Sequence, residues 1–309
     1  MPRVAYLGPE GTFTEAALWQ IAGSGALAGE VEPKSAESPG AALAMVRAGD
    51  ADYACVPFEN SIEGSVIPTL DSLSTGTPLR IYAEHTLDVA FSIVVRPGVD
   101  IDWVSTVAAF PVAAAQVRRW LAEHLPSATL VPASSNAGAA QDVAGGRADA
   151  GVSTALAAQR WGLDVLAADV VDEPNARTRF VLAAPPGPPP QRTGADRTSV
   201  ILRLDNTPGA LVAAMTEFAV RDIDLTRIES RPTRTELGTY VFFLDCVGHI
   251  DDDSVAQALK ALHRRCRDVR YLGSWPTGTA AGAVPPSDDD ASRWLIGLRE
   301  GSPTGGSGA

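Results

Sequence analysis

The sequence NARTRF, at residues 175–180, places a threonine between two arginines just before an apolar run, FVLAA. Asn175, Thr178 and Arg179 offer an amide, a hydroxyl and a guanidinium group, each able to donate hydrogen bonds to a bound anion. We expect one of the two arginines to face a cleft and the other to meet solvent. The alternative is that this segment is only the solvated end of a strand.

A second polar cluster, VPFENSIEGSV at residues 56–66, follows an apolar strand. Glu59, Asn60, Ser61 and Ser65 bring carboxylate, amide and hydroxyl groups into seven consecutive positions. So dense a polar set directly after a buried strand favours a binding site over a simple helix cap and loop.

A third candidate is the strand-to-helix turn GPEGTFTEAA at residues 8–17. Its glycines free the backbone, and Thr12 and Thr14 can cap the helix that follows. The unpaired N–H groups of a helix N-terminus, together with the helix dipole, form a cradle for a carboxylate or a phosphate. The turn lacks the Lys-Ser/Thr pair of a P-loop, and a merely capped helix is the alternative.

Side chains that commonly carry catalysis are scarce in this chain. His85 is the histidine that we single out, whereas His124, His249 and His263 are expected at the surface. We recognise no Ser-His-Asp or Cys-His set in the sequence, which disfavours a hydrolase that uses a serine or cysteine nucleophile. The three cysteines share no metal-binding spacing and are expected to be buried thiols. We therefore predict neither a metal nor a cofactor.

Strand and helix signals alternate over residues 1–183, which predicts an α/β domain. Within it, residues 49–56 (GDADYACV) and 146–153 (GRADAGVS) resemble each other, and each runs into a new helix. This internal echo favours two duplicated lobes, each with a helix N-terminus at the end of a strand, and makes Ser153 a candidate site residue. Two such ends facing each other across a cleft would suit a small dianion.

A proline- and glycine-rich linker, residues 184–197, precedes a second block at residues 198–275. The order of strand and helix signals in this block, βαββαβ, is that of a ferredoxin-like α+β unit. Residues 276–309 are rich in turn-forming residues around one short helical pattern, and we expect a mostly mobile tail there.

The formal net charge of −12 weighs against nucleic-acid binding, which requires a basic surface. No stretch approaches the roughly 18 apolar residues of a membrane helix, and the N-terminus lacks the apolar core of a signal peptide. We therefore expect a cytoplasmic protein that acts on a small molecule and binds neither nucleic acid nor membrane.

Together these motifs resemble the prephenate dehydratase family over residues 3–275. The resemblance rests on GPEGTFTEAA, VPFENSIEGSV and the signature within NARTRF at residues 175–180, and in the second block on GALV and ESRP, in the order that the family uses. It implies a two-lobed α/β catalytic domain like a type II solute-binding protein, with the active site in the cleft. The second block then resembles an ACT domain, a regulatory module that binds amino acids.

The resemblance also implies inhibition by phenylalanine bound where two ACT domains pair, and hence a dimer or tetramer formed partly through these domains. The residues that would meet or couple to phenylalanine lie in GALV and ESRP: Gly209, Ala210, Leu211, Val212, Glu229, Ser230 and Arg231.

The implied reaction is the loss of carbon dioxide and hydroxide from prephenate, which leaves the aromatic ring of phenylpyruvate and needs no covalent nucleophile or metal. The resemblance assigns the essential role to Thr178, as hydrogen-bond donor or general acid toward the leaving hydroxyl. Asn60 would assist, and Arg179 would hold a carboxylate through two parallel hydrogen bonds. The remaining candidate substrate contacts are Thr12, Glu59, Ser61, Ser65, Gln116, Ser153 and Asn175.

The sequence departs from the family at Phe91 and Phe110, where members often carry histidine, so no imidazole is expected to act at either position. Two alternatives stay open. An arogenate dehydratase would use the same fold and motifs on an amino acid instead of a keto acid. A non-catalytic small-molecule binding protein with an ACT sensor is the alternative from another class.

Overall fold

The computed structural model describes residues 1–172, 176–234, 236–278, 282–284 and 289–301. The chain forms two compact units. The larger comprises Met1–Leu79 and Ala83–Pro185, and the smaller comprises Arg80–Tyr82 and the chain from Pro186 onward. No helix in the described part is long and apolar enough to cross a bilayer.

The first lobe of the larger unit is a mixed sheet with helices packed on it. Its strand order is β2-β1-β3-β11-β5, with β1 parallel to both its neighbours, β3 antiparallel to β11, and a short β4 paired with β3. Val4, Cys55 and Leu182, from three adjacent strands, are fully buried against Leu18 of α1. The elements are β1 (Arg3–Leu7), α1 (Phe13–Gly23), β2 (Glu32–Ala36), α2 (Pro39–Ala48), β3 (Tyr53–Asn60), β4 (Gly64–Ser65), α3 (Ile67–Ser74), β5 (Arg80–Asp88) and β11 (Arg177–Ala184).

The second lobe is inserted between β5 and β11. It contains β6 (Phe91–Val95), a 3₁₀ turn (Ile101–Trp103), β7 (Thr106–Ala109), α4 (Pro111–Gln116), α5 (Arg118–His124), β8 (Thr129–Pro132), α6 (Asn136–Ala144), β9 (Ala150–Ser153), α7 (Ala155–Trp161) and β10 (Asp164–Val170). Its strand order, β8-β7-β9-β6-β10, repeats the pattern of the first lobe, with two parallel pairs followed by an antiparallel one. The two echoed segments end in β3 and β9, which occupy equivalent places in the two sheets, as duplicated lobes require.

The smaller unit confirms the predicted βαββαβ order. Its elements are β12 (Asp196–Arg203), α8 (Ala210–Ala219), β13 (Leu225–Pro232), β14 (Tyr240–Val247), α9 (Asp253–Arg265) and β15 (Asp268–Pro276). The strands form an antiparallel sheet in the order β13-β14-β12-β15. Val200 and Leu244 of the sheet pack with Phe218 of α8 and Leu262 of α9 to form its core.

Residues 186–195, which we call the strap, lie between β11 and β12 without regular secondary structure but are held by hydrogen bonds. His249 Nε2 lies 3.0 Å from Pro190 O, and Arg192 Nε lies 2.7 Å from Asp252 Oδ1. The backbone N–H of Asp251 lies 3.2 Å from His249 Nδ1, so the imidazole links the strap to the turn that follows β14. His249 is fully buried. The expectation of a surface histidine is wrong at this position, because its imidazole fills this contact.

Three residues of β5 contribute to the smaller unit. Arg80 Nη1 donates to Gly187 O of the strap over 2.6 Å, and its guanidinium lies 5.2 Å from the centre of the Tyr271 ring. At Gly273, whose φ is +139°, a β-carbon would lie 2.3 Å from Ile81 O. The glycine is therefore required by the close approach of this strand.

A last helix, α10 (Asp289–Arg299), falls in the predicted tail. Ser292 Oγ donates to Asp253 Oδ2 of α9, while Trp294 and Ile296 remain exposed. The other tail residues, 279–281, 285–288 and 302–309, lie outside the described part of the chain.

Candidate active site

Thr178 and Asn60 are partners in the antiparallel pairing of β11 with β3. Asn60 Nδ2 donates to Thr178 Oγ1 over 2.9 Å, and Asn60 Oδ1 accepts the backbone N–H groups of Ile62 at 2.8 Å and Glu63 at 3.0 Å. Because these two donors require the oxygen on their side, the amide nitrogen must face Thr178. The Thr178 oxygen is therefore an acceptor in this bond, and its own hydrogen is available to donate elsewhere.

A tight hairpin produces this arrangement. Gly64 takes a left-handed φ of +81°, which lets the chain reverse after Asn60 and pair β4 with the end of β3. Ser61 joins the hairpin to the neighbouring strand, since its N–H donates to Arg177 O and its Oγ accepts from Arg177 N, both over 2.8 Å. Ser61 thus fixes the backbone beside Thr178.

A cleft of about 670 Å³ lies between the two lobes of the larger unit. Of the predicted site residues, Thr12 and Thr178 line it. The first lobe also contributes Leu7, Gly8, Pro9, Phe13, Thr14, Ser35, Ala36, Glu37, Pro57 and Phe180, and the second contributes Phe110, Ser134, Ser135 and Asn136. Among the described lining residues there is no histidine, cysteine, lysine or arginine. The polar groups that this wall offers are hydroxyls, an amide, backbone N–H groups and the carboxylate of Glu37.

The turn between β1 and α1 forms both a capped helix and part of the cleft wall. Thr12 is the N-cap of α1: its Oγ1 accepts Glu15 N at 3.3 Å and donates to Leu7 O at 3.0 Å. Glu15 Oε2 in return accepts the N–H of Gly11, the residue before the N-cap, at 2.6 Å, and we call these two bonds the reciprocal cap. Thr14, two residues after Thr12 in the first turn of α1, is buried and lines the cleft.

The opposite wall is the N-terminus of α6, which the sequence analysis missed. Ser135 is its N-cap and accepts Gly138 N over 2.9 Å. Ser153, a predicted contact, is fully buried and donates to Asn136 O over 2.6 Å, so it supports the first turn of α6 instead of lining the cleft. The overlooked signal was the SSN triplet at Ser134 before an alanine-rich helix, which is an N-cap pattern.

Arg179 is not among the residues that line the cleft, and its contact with a substrate carboxylate stays a prediction. Its Nη2 lies 2.9 Å from Glu59 Oε2, its Nη1 lies 3.4 Å from Glu84 Oε2, and its guanidinium lies 4.8 Å from the centre of the Phe58 ring. Only 7% of the side chain is exposed, against 59% for Arg177. Because two carboxylates already pair with this guanidinium, the geometry supports a structural role for Arg179 within the sheet of the first lobe.

Removing the Arg179 charge should destabilise the protein more than any change at Arg177. We expect Arg179→Gln to lower the free energy of unfolding by about 3 kcal/mol, since the variant removes the positive partner from a buried ion pair with Glu84. Arg177→Gln, whose ion pair with Asp88 is exposed, should change it by less than about 1 kcal/mol. Urea unfolding of both variants measures the difference. Equal stabilities, with a raised KM for Arg179→Gln, would restore the direct substrate role.

Of four other predicted substrate contacts, three lie outside the cleft lining and one lies outside the described residues. Glu59 pairs with Arg179, and Ser65 lies opposite Glu59 in β4. Gln116 ends α4, where its carbonyl accepts Asp172 N over 2.6 Å and its side-chain oxygen is buried. Asn175 lies outside the described residues. The cleft lining includes none of Glu59, Ser65 and Gln116.

Phe91 and Phe110, the two positions at which histidine was noted for the family, both contribute apolar surface. Phe91 is buried and packs edge-to-face on Phe13, with ring centres 5.7 Å apart, whereas Phe110 lines the cleft directly. His85, the histidine singled out from the sequence, is partly buried on β5 outside the cleft lining. Burial lowers its pKa, which favours a neutral imidazole at pH 7.

The smaller unit has its own cavities beside the GALV segment. One of about 630 Å³ is lined in part by Ala210, Leu211 and Tyr240, and one of about 270 Å³ in part by Gly209 and Ala210. Gly209 is the N-cap of α8 and has a left-handed φ of +81°. Val212 is exposed on α8.

The ESRP segment lies on an edge strand. Glu229, Ser230 and Arg231 belong to β13, which has a single neighbour in the sheet, and they do not line these two cavities. Tyr240 and Phe242, which do line the larger cavity, pair with Pro232 and Ser230 in the sheet, so the ESRP segment borders that cavity through its neighbouring strand.

Comparison with known proteins agrees with both units. The sequence model of the family described as prephenate dehydratase matches residues 4–186, and that of the ACT domain matches residues 198–264. A relative named prephenate dehydratase from Mycobacterium sp. (strain JLS) is 74% identical over 310 residues, covering 98% of each chain. One from Mycobacterium tuberculosis (strain ATCC 25177 / H37Ra) is 68% identical over 308 residues, covering 98% of this chain and 96% of its own.

Two solved structures share the architecture. Prephenate dehydratase from Arthrobacter aurescens in complex with L-Phe is 42% identical, with a TM-score of 0.85 over 97% of this chain and 100% of that one. GqqA, described as a quorum quenching acylase, is 28% identical, with a TM-score of 0.78 over 89% of this chain and 97% of that one. The family assignment therefore rests on the sequence matches together with the cleft residues, and on those grounds the chain belongs to the prephenate dehydratase family.

Proposed function

We propose that this protein converts prephenate to phenylpyruvate, carbon dioxide and water. The observation that carries the proposal is the hydrogen bond from Asn60 to Thr178 at the cleft wall, 2.9 Å long and fixed in direction. It leaves the Thr178 hydroxyl with a hydrogen to donate at a surface that a small molecule can reach. The choice of prephenate as the substrate of this donor is inferred from membership of the family.

The reaction requires little more than orientation and one well-placed donor. Prephenate loses its ring carboxylate as carbon dioxide, and the electron pair of that bond expels the hydroxyl group at the opposite carbon as the ring becomes aromatic. Thr178 stabilises the negative charge that develops on the leaving oxygen, and a proton from solvent completes the water product. No lining residue among those described needs to form a covalent bond.

The cleft can bind an anion without a cationic side chain. The N-termini of α1 and α6 border it from the two lobes, and helix N-termini carry partial positive charge and unpaired N–H groups. Thr12, Thr14 and Ser135 add hydroxyls at these ends. Prephenate has two carboxylates, which matches two opposed helix ends.

The test is the formation of phenylpyruvate from prephenate by the purified full-length protein, followed by the absorbance of the product in alkali. Turnover well above the spontaneous rate supports the proposal. Stoichiometric binding of prephenate without turnover would instead favour the non-catalytic binding protein.

Arogenate is the second candidate substrate, and Glu37 is the observation in its favour. This carboxylate lines the cleft and could pair with the ammonium group that arogenate has and prephenate lacks. The ratio of kcat/KM on the two substrates decides between them. A higher value on arogenate that falls in Glu37→Gln would reassign the substrate.

We also propose that phenylalanine binds the ACT unit and inhibits the reaction. The cavities beside GALV, and the L-Phe complex of the Arthrobacter aurescens relative, support this assignment. The resemblance to the family implies a phenylalanine site at an interface between two paired ACT units, which requires a second copy of the chain. We therefore propose a dimer or tetramer paired partly through ACT units, which light scattering would measure.

Gly209→Ala should weaken inhibition while leaving the uninhibited rate nearly intact. A side chain at φ +81° strains the turn by about 1–2 kcal/mol, although a β-carbon there meets no atom within 4 Å. We expect the phenylalanine concentration for half inhibition to rise about tenfold. Gly278→Ala, at a similarly open position with φ +74°, is the control for strain alone. Equal inhibition in both variants would remove GALV from the effector site.

The domain division and compartment are part of the same proposal. We assign catalysis to residues 1–183 and regulation to residues 198–275, joined by the linker 184–197 and followed by the tail. We place the protein in the cytoplasm, where its biosynthetic relatives' activity would belong. The free and buried Cys55 and Cys246, whose pKa values burial raises, are compatible with that reducing compartment.

A further inference from the structure

The turn that carries Thr12 is attached to the second lobe by helix α7. Thr154 Oγ1, at the N-cap of α7, donates to Gly11 O over 2.6 Å. Gly11 also approaches α7 so closely that a β-carbon built on it would lie 2.9 Å from the β-carbon of Ala157. The cleft wall formed by this turn is therefore in direct contact with the lobe opposite it.

An ion pair reinforces this attachment. The Arg160 guanidinium, on α7, pairs with Glu15 of α1 and lies 3.0 Å from Glu10. The Glu15 side chain is 0% exposed, and its carboxylate also accepts Gly11 N at 2.6 Å and Trp19 Nε1 at 3.2 Å. A buried carboxylate is costly unless it is paired with a positive charge. We call the contacts of Gly11 and Glu15 with Thr154, Ala157 and Arg160 the latch.

We propose that Arg160 and Glu15 are positioning residues for the reaction, holding the turn of residues 8–17 where Thr12 and Thr14 can bind substrate. Neither side chain lines the cleft, so both act through the turn. Glu15 fixes the turn from inside α1 through the reciprocal cap, and Arg160 ties that cap to the second lobe. This inference rests on the proposed function of the cleft.

The latch sets the fraction of molecules whose cleft is ready to bind. When a binding-competent state is only partly populated, apparent affinity falls by that fraction, while saturating substrate restores the competent state. Loss of the ion pair should therefore raise KM and leave kcat nearly unchanged. A defect in folding alone would lower the active fraction, and with it kcat, at constant KM.

The experiment measures kcat and KM for prephenate in Arg160→Gln, Glu15→Gln and the double variant of the full chain. We expect KM to rise about tenfold in each, with kcat within about twofold. The double variant should resemble either single variant, because both remove the same pair. Arg160→Lys should recover most of the affinity. Arg147→Gln is the matched control, since Arg147 pairs with Asp142 inside the second lobe and should leave KM unchanged.

A fall in kcat at unchanged KM, or effects that add in the double variant, would overturn the proposal. If Glu15→Gln does not fold, Arg160→Gln and Arg160→Lys decide it by their KM values. A wild-type protein inactive on prephenate would refute the proposed function instead. The latch would then be tested by urea unfolding, in which the double variant should share the midpoint of the less stable single variant. Additive shifts in midpoint would reject it.

Discussion

Thr178→Val loses at least about a thousandfold in kcat on prephenate, because the variant keeps the volume of the side chain but has no hydrogen to give to the leaving hydroxyl. Thr178→Ser keeps that hydrogen and should retain activity within about tenfold of the wild-type enzyme. Steady-state formation of phenylpyruvate measures both variants.

The comparison separates chemistry from folding. Thr178 is nearly buried, so each variant should first be shown to unfold at the wild-type urea concentration within error. Inhibition by phenylalanine cannot be read in an inactive variant, but phenylalanine binding can, by calorimetry, and it should be unchanged. If Thr178→Val turns over prephenate at a rate near that of the wild type, the hydroxyl has no part in the reaction.

Asn60→Asp should lower kcat almost as much as Thr178→Val does, although the substitution replaces only one NH₂ group with an oxygen. Its first oxygen still accepts Ile62 N and Glu63 N, so the hairpin keeps its bonds. The second oxygen faces Thr178 and cannot donate. The threonine hydrogen is then drawn to the new carboxylate, and we expect kcat to fall by about a hundredfold or more, since a general-acid contribution is worth about 10²–10⁴.

The pH dependence of Asn60→Asp provides an internal check. A protonated aspartic acid can donate to Thr178 as asparagine does, and an ordinary aspartic acid has a pKa of about 4. The activity of the variant relative to the wild type should therefore rise as pH falls toward that value. A ratio that is constant with pH would mean that the direction of this hydrogen bond does not control catalysis.

The parts of the site that depend on local sequence were predictable. Thr12 is an N-cap after a glycine turn, and Asn60 lies in a polar cluster at the end of an apolar strand. The βαββαβ order of the smaller unit could likewise be derived from the alternation of apolar and turn-forming segments. These features follow from spacing and backbone chemistry, which a single sequence displays.

The sequence could not reveal partners that are distant along the chain. Nothing near Arg179 in the chain indicates its ion pair with Glu84, 95 positions away on β5. His249 looked exposed because its acceptor, Pro190 O, is 59 positions away in the strap. Such pairings are decided by tertiary packing. For buried charged groups and imidazoles, the role that we infer depends strongly on the partner, so an unknown partner matters most there.

The strap and the three residues of β5 that accompany it bear on how this enzyme can be dissected. A recombinant fragment beginning at Pro186 would carry the strap but would leave Arg80 behind, because that residue lies in the middle of the catalytic portion of the chain. Gly187 O would lose the hydrogen bond from Arg80. Gly273 would lose its close contact with Ile81 of β5, the contact that requires a glycine at this position. A chimera that exchanges the regulatory module between relatives therefore needs two grafted segments, one of them only a few residues long.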